Sequence, residues 1–285
     1  VVGFNKKEGM LEPSFFSEML GLQGRMDYLQ LDYKVLIEQK SGNGDFPHHN
    51  FVYPKQQEAH YVQMLLYMAL IKYNYAEQYK QNKGIRAFLL YSKYKNSLLS
   101  LGNAPELEFR AIQLRNRLVR AEIAYANEDG FKILSNLSSD HVNLKGNDSI
   151  LWHKYQSCQI NDLLQPIRLA SDLERHYYYR FLSFIAKEHL LCKLGTRTKE
   201  NSGFASKWHD RLDEKLQAGN IYDDLELLAP DAEVKGRIER VLLRFPVDKE
   251  NDMSNFRAGD IVLLYPYEKG EEPDVRSTPV LRSTI

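Results

Sequence analysis

"GRMDYLQLDYKVLIEQKSG", residues 24–42, decides how this chain is read. Val35, Leu36 and Ile37 form an apolar run of strand type, and Glu38 and Lys40 then interrupt it. Charges on a core strand are costly unless a partner or a ligand holds them. Side chains of a strand alternate between its two faces, so Glu38 and Lys40 share one face, about 6–7 Å apart. A turn over residues 31–34 folds the preceding strand back and brings Asp27 beside them. Gly24 and Gly42 bracket the unit, where a missing side chain lets backbone or ligand approach closely.

Two carboxylates and a backbone carbonyl, that of Gln39, are hard oxygen ligands. They suit Mg²⁺ or Mn²⁺, ions that keep several waters and take phosphate oxygens as further ligands. Such an ion lowers the pKa of water and neutralises charge developing on a phosphate. Lys40 supplies a fixed positive charge for the transition state. Asp27, Glu38 and Lys40 therefore make a kit for cutting a phosphodiester. The plain alternative is a surface hairpin with a Glu–Lys pair. The apolar run before Glu38 and the bracketing glycines argue for the site.

Outward from this unit, residues 9–40 read as strands, and "SGNGDFPHHNFVYP" (41–54) reads as a loop by its Gly, Pro and Asn content. An amphipathic helix is expected over residues 56–79, with apolar positions at Val62, Leu65, Leu66, Ala69 and Leu70. "GIRAFLLYS" (84–92) follows as a buried strand. The order β-β-β-α-β is an α/β arrangement around a central sheet. In "HYVQMLLY" (60–67), His60, Gln63 and Tyr67 fall on one stripe of the helix and could face a strand of nucleic acid bound over the metal. A polar boundary stripe is the alternative.

The chain then turns helical. "PELEFRAIQLRNRLVRAEIAYANE" opens with Pro105 and acids in its first turn, a helix-start signal. Further helices are expected at roughly residues 149–160, 166–195 and 203–217, with "NLSSDHVNLKGNDS" (136–149) as a polar connector. Arg110, Arg117 and Arg120 share a broad face of the helix after Pro105. They fit a phosphate backbone, and a solvated face at least as well. "ERHYYYRFLSFIAKEHLLCKL" (174–194) carries an aromatic stripe, read as core rather than as a platform for bases. From about residue 220, "VKGRIERVLLRF", "FRAGDIVLLYPY" and "TPVLRSTI" are short strands with turn signals between them, which suggests a small β-barrel. The sequence stops inside the last of these, so more protein is expected beyond it.

The 285 residues hold 43% hydrophobic and 27% charged side chains, an ordinary globular composition. No apolar run is long enough to cross a bilayer. Lys plus Arg and Asp plus Glu number 38 each, so net charge does not advertise nucleic acid, though a local basic groove remains compatible. There is no Cys-x-x-Cys pair for zinc, and two cysteines fit a reducing, intracellular compartment. No Walker-type Gly-x-x-x-x-Gly-Lys-Ser/Thr run occurs, so no ATP site is expected in these residues.

"GLQGRMD" (21–27), "VLIEQKSG" (35–42) and "QMLLY" (63–67) together resemble the RecB-like branch of the PD-(D/E)XK nucleases. The shared pattern is Gly-x-x-Asp, then Asp/Glu-x-Lys, then Gln-x-x-x-Tyr on a helix. "EPSFFSEMLGLQGRMD" (12–27) looks most like the nuclease module of the DNA replication ATP-dependent helicase/nuclease family, and the motif resemblance covers roughly residues 12–92. It implies a restriction-endonuclease-like core with a central mixed sheet over residues 1–100. A helical continuation would follow over 101–218, then a small β-barrel over 219–285 leading to a helicase.

By the same resemblance, Asp27 and Glu38 would ligate metal, Lys40 would be the catalytic lysine, and Gln63 and Tyr67 would steady the site and the DNA. The implied activity is Mg- or Mn-dependent cleavage of single-stranded or flapped DNA in replication or repair, in the cytoplasm or, in a bacterium, the nucleoid. Many members hold an iron–sulfur cluster with four cysteines. Only Cys158 and Cys192 occur here, so no cluster is expected and both thiols are read as buried and structural. Members usually also carry an acid or His on a helix before Gly-x-x-Asp, and Glu18 is a candidate substitute on a strand flank. His48 and His49 are read as solvated loop residues. Two other readings stand beside the nuclease: a nuclease-fold DNA-binding module that no longer cuts, and an exonuclease of a mobile-element or adaptive-immunity system.

Overall fold

A computed structural model describes residues 8–45, 54–127, 130–144, 146–196, 203–234, 237–246 and 255–285. His48 and His49 lie outside the described residues. The chain divides into two compact units, one of Val1–Gln113 with Lys207–Ile285, the other of Leu114–Ser206.

In the first unit the strands are β1 (Gly9–Leu11), β2 (Ser14–Ser17), β3 (Leu22–Arg25), β4 (Tyr28–Gln30) and β5 (Val35–Lys40). Helices α1 (Glu58–Asn74) and α2 (Ala76–Gln81) follow, then β6 (Arg86–Tyr91) and β7 (Leu98–Leu101). Five strands form one mixed sheet in the order β1-β4-β5-β6-β7, in which only β5 and β6 run parallel. The hairpin turn falls over residues 31–34 as expected, with Tyr33 at φ 59°. β7 was not anticipated.

The core lies between this sheet and α1. Leu29, Leu36, Ala87, Leu89 and Leu101 from the sheet meet Met64, Met68, Ala69 and Ile71 of the helix. The β2–β3 hairpin covers α1 as well, with Phe15, Leu20 and Met26 in the same cluster. A helix sandwiched in this way is buried on most sides rather than on one stripe. From Met64 to Ile71 only Leu66 escapes full burial, so the amphipathic helix expected over 56–79 is in fact a core helix. It also ends early. The chain breaks at Tyr75, whose ring is buried against Phe15 and Tyr33.

The C-terminal part of this unit contains α7 (Ser206–His209), α8 (Leu212–Gln217), β8 (Glu226–Val234), β9 (Arg237–Arg244), β10 (Ile261–Leu264) and β11 (Leu281–Thr284). Its four strands make two separate antiparallel pairs, β8 with β9 and β10 with β11, and among the described residues no sheet closes. The chain also returns to the first strands. Ser14 and Val280 exchange backbone hydrogen bonds of 2.8 and 2.9 Å, and Val275 and Val280 are buried.

The second unit contains most of α3 (Pro105–Tyr125), a 3-10 stretch over Gly130–Asn136, α4 (Ser139–Val142), a π-turn at Trp152–Gln156, α5 (Ser157–Leu169) and α6 (Asp172–Leu194). The helix break expected between residues 160 and 166 falls instead at Ala170–Ser171. Pro166 sits inside the last turns of α5, and Ser171 caps α6 with a full capping box to Glu174. Two further expectations fail here. Cys158 and Cys192 are both exposed, on helices that bury little of their surface. The aromatic stripe of α6 is not core either: Tyr177, Phe181 and Phe184 are exposed, and only Tyr179 and Ser183 are buried on that helix.

Candidate active site

β5 brings Glu38 and Lys40 to the face that Leu36 packs against α1. Lys40 Nζ donates to Glu38 Oε1 at 2.7 Å, which bears out the shared face. Asp27 immediately precedes β4, whose Tyr28 pairs with Ile37, so it stands across from Glu38. Its backbone N–H donates to Glu38 Oε2 at 3.3 Å, and its own Oδ2 accepts from the Gln39 N–H at 2.7 Å. The two acids are thereby tied to each other through the strand backbones.

Backbone alternation fixes the direction of the Gln39 carbonyl. Lys34 and Lys40 give their carbonyls to the N–H groups of Arg86 and Ser92, on the β6 side. Gln39 is out of step with them, so its N–H and C=O both face the Asp27 side.

α1 completes the arrangement. Gln63 Oε1 accepts from Lys40 Nζ at 2.7 Å, Gln63 Nε2 donates to Tyr67 Oη at 2.9 Å, and Tyr67 Oη donates to the Arg25 carbonyl at 2.7 Å. A continuous chain of hydrogen bonds therefore runs from β3 through the helix to the lysine and on to Glu38. Tyr67 is 8% exposed, and its ring lies against Gly24, where an added Cβ would come within 2.8 Å of Tyr67 Cε1. Gly24 is thus the close approach that the sequence anticipated. Gly42 is not, since nothing lies within 4 Å of its missing Cβ.

Electrostatics follow from burial. Glu38 is only 3% exposed, and that burial pushes its carboxyl above the ordinary carboxylate range. The Lys40 hydrogen bond pulls it back, and the charge of Asp27 pushes it up again. Burial first and the Glu38 charge second push the Tyr67 phenol up to about 12, which keeps its proton on and its donor role fixed. A largely buried pair such as Glu38–Lys40 gains little net stability by itself, because desolvation offsets its attraction. Removing Lys40 would leave a buried carboxylate unpaired, which costs several kcal/mol.

His60, one turn before Gln63 on α1, bonds through Nδ1 to the hydroxyl of buried Tyr91 at 2.8 Å. Tyr91 is the in-register neighbour of Lys40 on β6. Burial, then the charge of Lys40, push the His60 imidazole below its ordinary value, and Asp45 opposes them. Tyr91 could not be foreseen, because parallel register cannot be read from one strand.

The remaining candidates lie elsewhere. Glu18 pairs with Arg276 at 2.8 Å on the exposed β2–β3 turn. Arg110, Arg117 and Arg120 are exposed on α3, the first in one unit and the other two in the second.

The donor set can be tested for a hard divalent cation. The charge of Asp27 raises the cost of ionising Glu38 beside it, and the Gln39 carbonyl faces the Asp27 side; oxygen donors of this kind suit Mg²⁺ or Mn²⁺. The residues fit, with the rest of the coordination shell left to water and phosphate oxygens. Among the described residues no cluster of three or more His, Cys, Asp and Glu side chains is placed to hold a metal. Among them, too, no helix is long and apolar enough to cross a membrane. No family model matches the chain, and neither a curated protein nor a solved structure matches it significantly.

Proposed function

We propose that this chain is a metal-dependent deoxyribonuclease of the RecB-like PD-(D/E)XK kind, cutting single-stranded or flapped DNA. In this reading the mixed sheet and α1 are the nuclease core, and the C-terminal strand pairs belong to a small barrel that leads to a helicase of the same polypeptide, working in replication or repair. One observation carries it: Lys40 is held at 2.7 Å from both Glu38 and Gln63, so the three motifs meet in one hydrogen-bonded set beside Asp27.

Asp27, Glu38 and the Gln39 carbonyl would hold Mg²⁺ or Mn²⁺. When bound, the cation supplies Lewis acidity, lowering the pKa of water and neutralising charge on the phosphate. The chain's own residues do the rest. Glu38, disfavoured as a carboxylate by its burial even beside Lys40, would gain a further compensating charge with a cation bound. Gln63 and Tyr67 hold the ammonium of Lys40 in one place, so it meets developing charge without reorganising.

Cleavage of labelled single-stranded and duplex DNA with Mg²⁺, Mn²⁺ or EDTA, beside Glu38→Ala, tests the reading. Metal-dependent cutting that disappears in the variant is the expected result. Cutting that survives Glu38→Ala would overturn the site. The second reading, a nuclease-fold module that binds DNA without cutting, is favoured by the small ligand set among the described residues. Retained single-strand binding with no cleavage under any metal would select it.

A further inference from the structure

We infer that Tyr91 locks His60 in its neutral Nε2–H tautomer, and that this N–H donates to a phosphate oxygen of the bound strand. The second half rests on the nuclease reading; the first does not. A phenol oxygen has one proton to give and two lone pairs to offer. The backbone N–H of Gln57 is always a donor, and it meets Tyr91 Oη at 3.0 Å. Tyr91's own proton is therefore free for His60 Nδ1, 2.8 Å away. If Nδ1 carried the proton instead, both neighbours would donate to Tyr91, and its hydroxyl proton would find no other acceptor among the described residues, on a side chain that is 0% exposed. Leaving a buried hydrogen bond of that kind unmade carries the full desolvation penalty of the group. That penalty selects the tautomer with the proton on Nε2.

The ring is half-buried, and with Nδ1 taken by Tyr91, Nε2 is the ring nitrogen left without a hydrogen-bond partner among the described residues. It stands beside Lys40: Gln63, one turn on, holds the ammonium, and Tyr91 is the register partner of Lys40. Burial first, then the charge of Lys40, favour the neutral imidazole, with Asp45 opposing them. A strand whose phosphate reaches Lys40 thus meets, next to the ammonium, a neutral N–H donor of fixed direction. Tyr91 is a positioning residue, acting only through His60.

Long-range ¹H–¹⁵N spectra of ¹⁵N-histidine-labelled protein in EDTA read the tautomer directly, with His60→Gln to assign the signal. The expected spectrum has a protonated Nε2 and an unprotonated Nδ1. Tyr91→Phe is expected to turn this into a mixture. A resting Nδ1–H or imidazolium form overturns the proposal, even if Tyr91→Phe fails to fold.

Adding a single-stranded oligothymidylate is then expected to shift Nε2. Binding without such a shift overturns the phosphate role of His60 and leaves the nuclease reading intact. Failure of the oligonucleotide to bind at all, with the Nε2–H form present, sinks the nuclease reading and the phosphate role with it. His60→Asn is expected to weaken oligonucleotide binding by about 10- to 100-fold, with part of the loss recovered in His60→Gln, whose amide N–H reaches nearer the Nε2 position.

Discussion

Helices α1 and α3 carry the same kind of sequence signal, polar groups recurring on one helix face, and the structure treats them differently. α1 buries seven of its 17 residues, and its polar groups Gln63 and Tyr67 sit at the edge of that buried surface with named partners on β3 and β5. α3 is 21 residues long and buries none. Its Arg110, Arg117 and Arg120 are exposed, and so are the apolar Phe109, Leu114 and Leu118 around them. A helix held on most sides fixes the direction of its polar groups before a ligand arrives, whereas side chains on a bare face are ordered only on contact and must give up rotamer entropy then. Spacing is common to both helices; the packing beneath it separates a site from a solvated face.

The sharpest way to break this comparison is to cut the hydrogen-bonded chain at its functional end. Lys40→Met keeps the length of the side chain and removes its charge. If the lysine meets charge in the transition state, single-turnover cleavage should fall by about 10²–10³-fold, the usual loss when one preorganised donor is removed. A smaller loss than that caused by removing the three α3 arginines together would reverse the ranking of the two helices.

The next effect is on stability and concerns how α1 is held. Gly24→Ala places a methyl group 2.8 Å from the Tyr67 ring and 3.1 Å from Leu70 Cδ1, both on a packed core helix. Overpacking of this sort costs about 1–3 kcal/mol. Gly42→Ala meets nothing and should be close to neutral. Urea unfolding of the two variants gives the comparison, and equal midpoints would mean that the helix yields where it is taken to be rigid.

How much of this was legible in the sequence follows the same division. The hairpin, its turn over residues 31–34 and the Asp27, Glu38 and Lys40 set could be read because strand alternation is a strict, local period. Gln63 and Tyr67 followed from helix spacing. What failed depends on tertiary surroundings. Tyr91 enters through a parallel pairing between strands 51 residues apart in sequence, since it lies opposite Lys40. β8 escaped because Pro230 breaks its strand pattern, and the ladder is irregular on both sides of that residue. The aromatic stripe of α6 and the two cysteines were assigned to a core by residue type alone, and residue type does not say whether another element covers the face.

Titration of Glu38 gives a smaller but cleaner contrast. Burial holds its folded-state value above the ordinary 4.5. Between those two values the folded protein binds a proton that the unfolded chain has released. Stability from this group is therefore full below about 4.5 and is lost as pH rises through the raised value. In EDTA, the melting temperature of the wild type should drop across that window by more than that of Glu38→Gln, which cannot titrate. Parallel curves would mean that Lys40 compensates the buried charge completely. Mg²⁺ should narrow the difference, since the ion favours the carboxylate.

The smallest expected effects lie on α3, and they decide whether its arginines belong to the function at all. Each of Arg110→Ala, Arg117→Ala and Arg120→Ala removes an exposed side chain, so each should change stability by no more than about 0.5 kcal/mol. If these residues meet a phosphate backbone, each loss should weaken single-strand binding about equally for every sequence and lower the salt dependence by roughly one counterion. The solvated-face reading expects unchanged affinity and an unchanged salt slope. Measuring the slope, rather than affinity at one salt concentration, separates the two, because a charge far from the strand alters binding only weakly once the Debye length falls to about 10 Å.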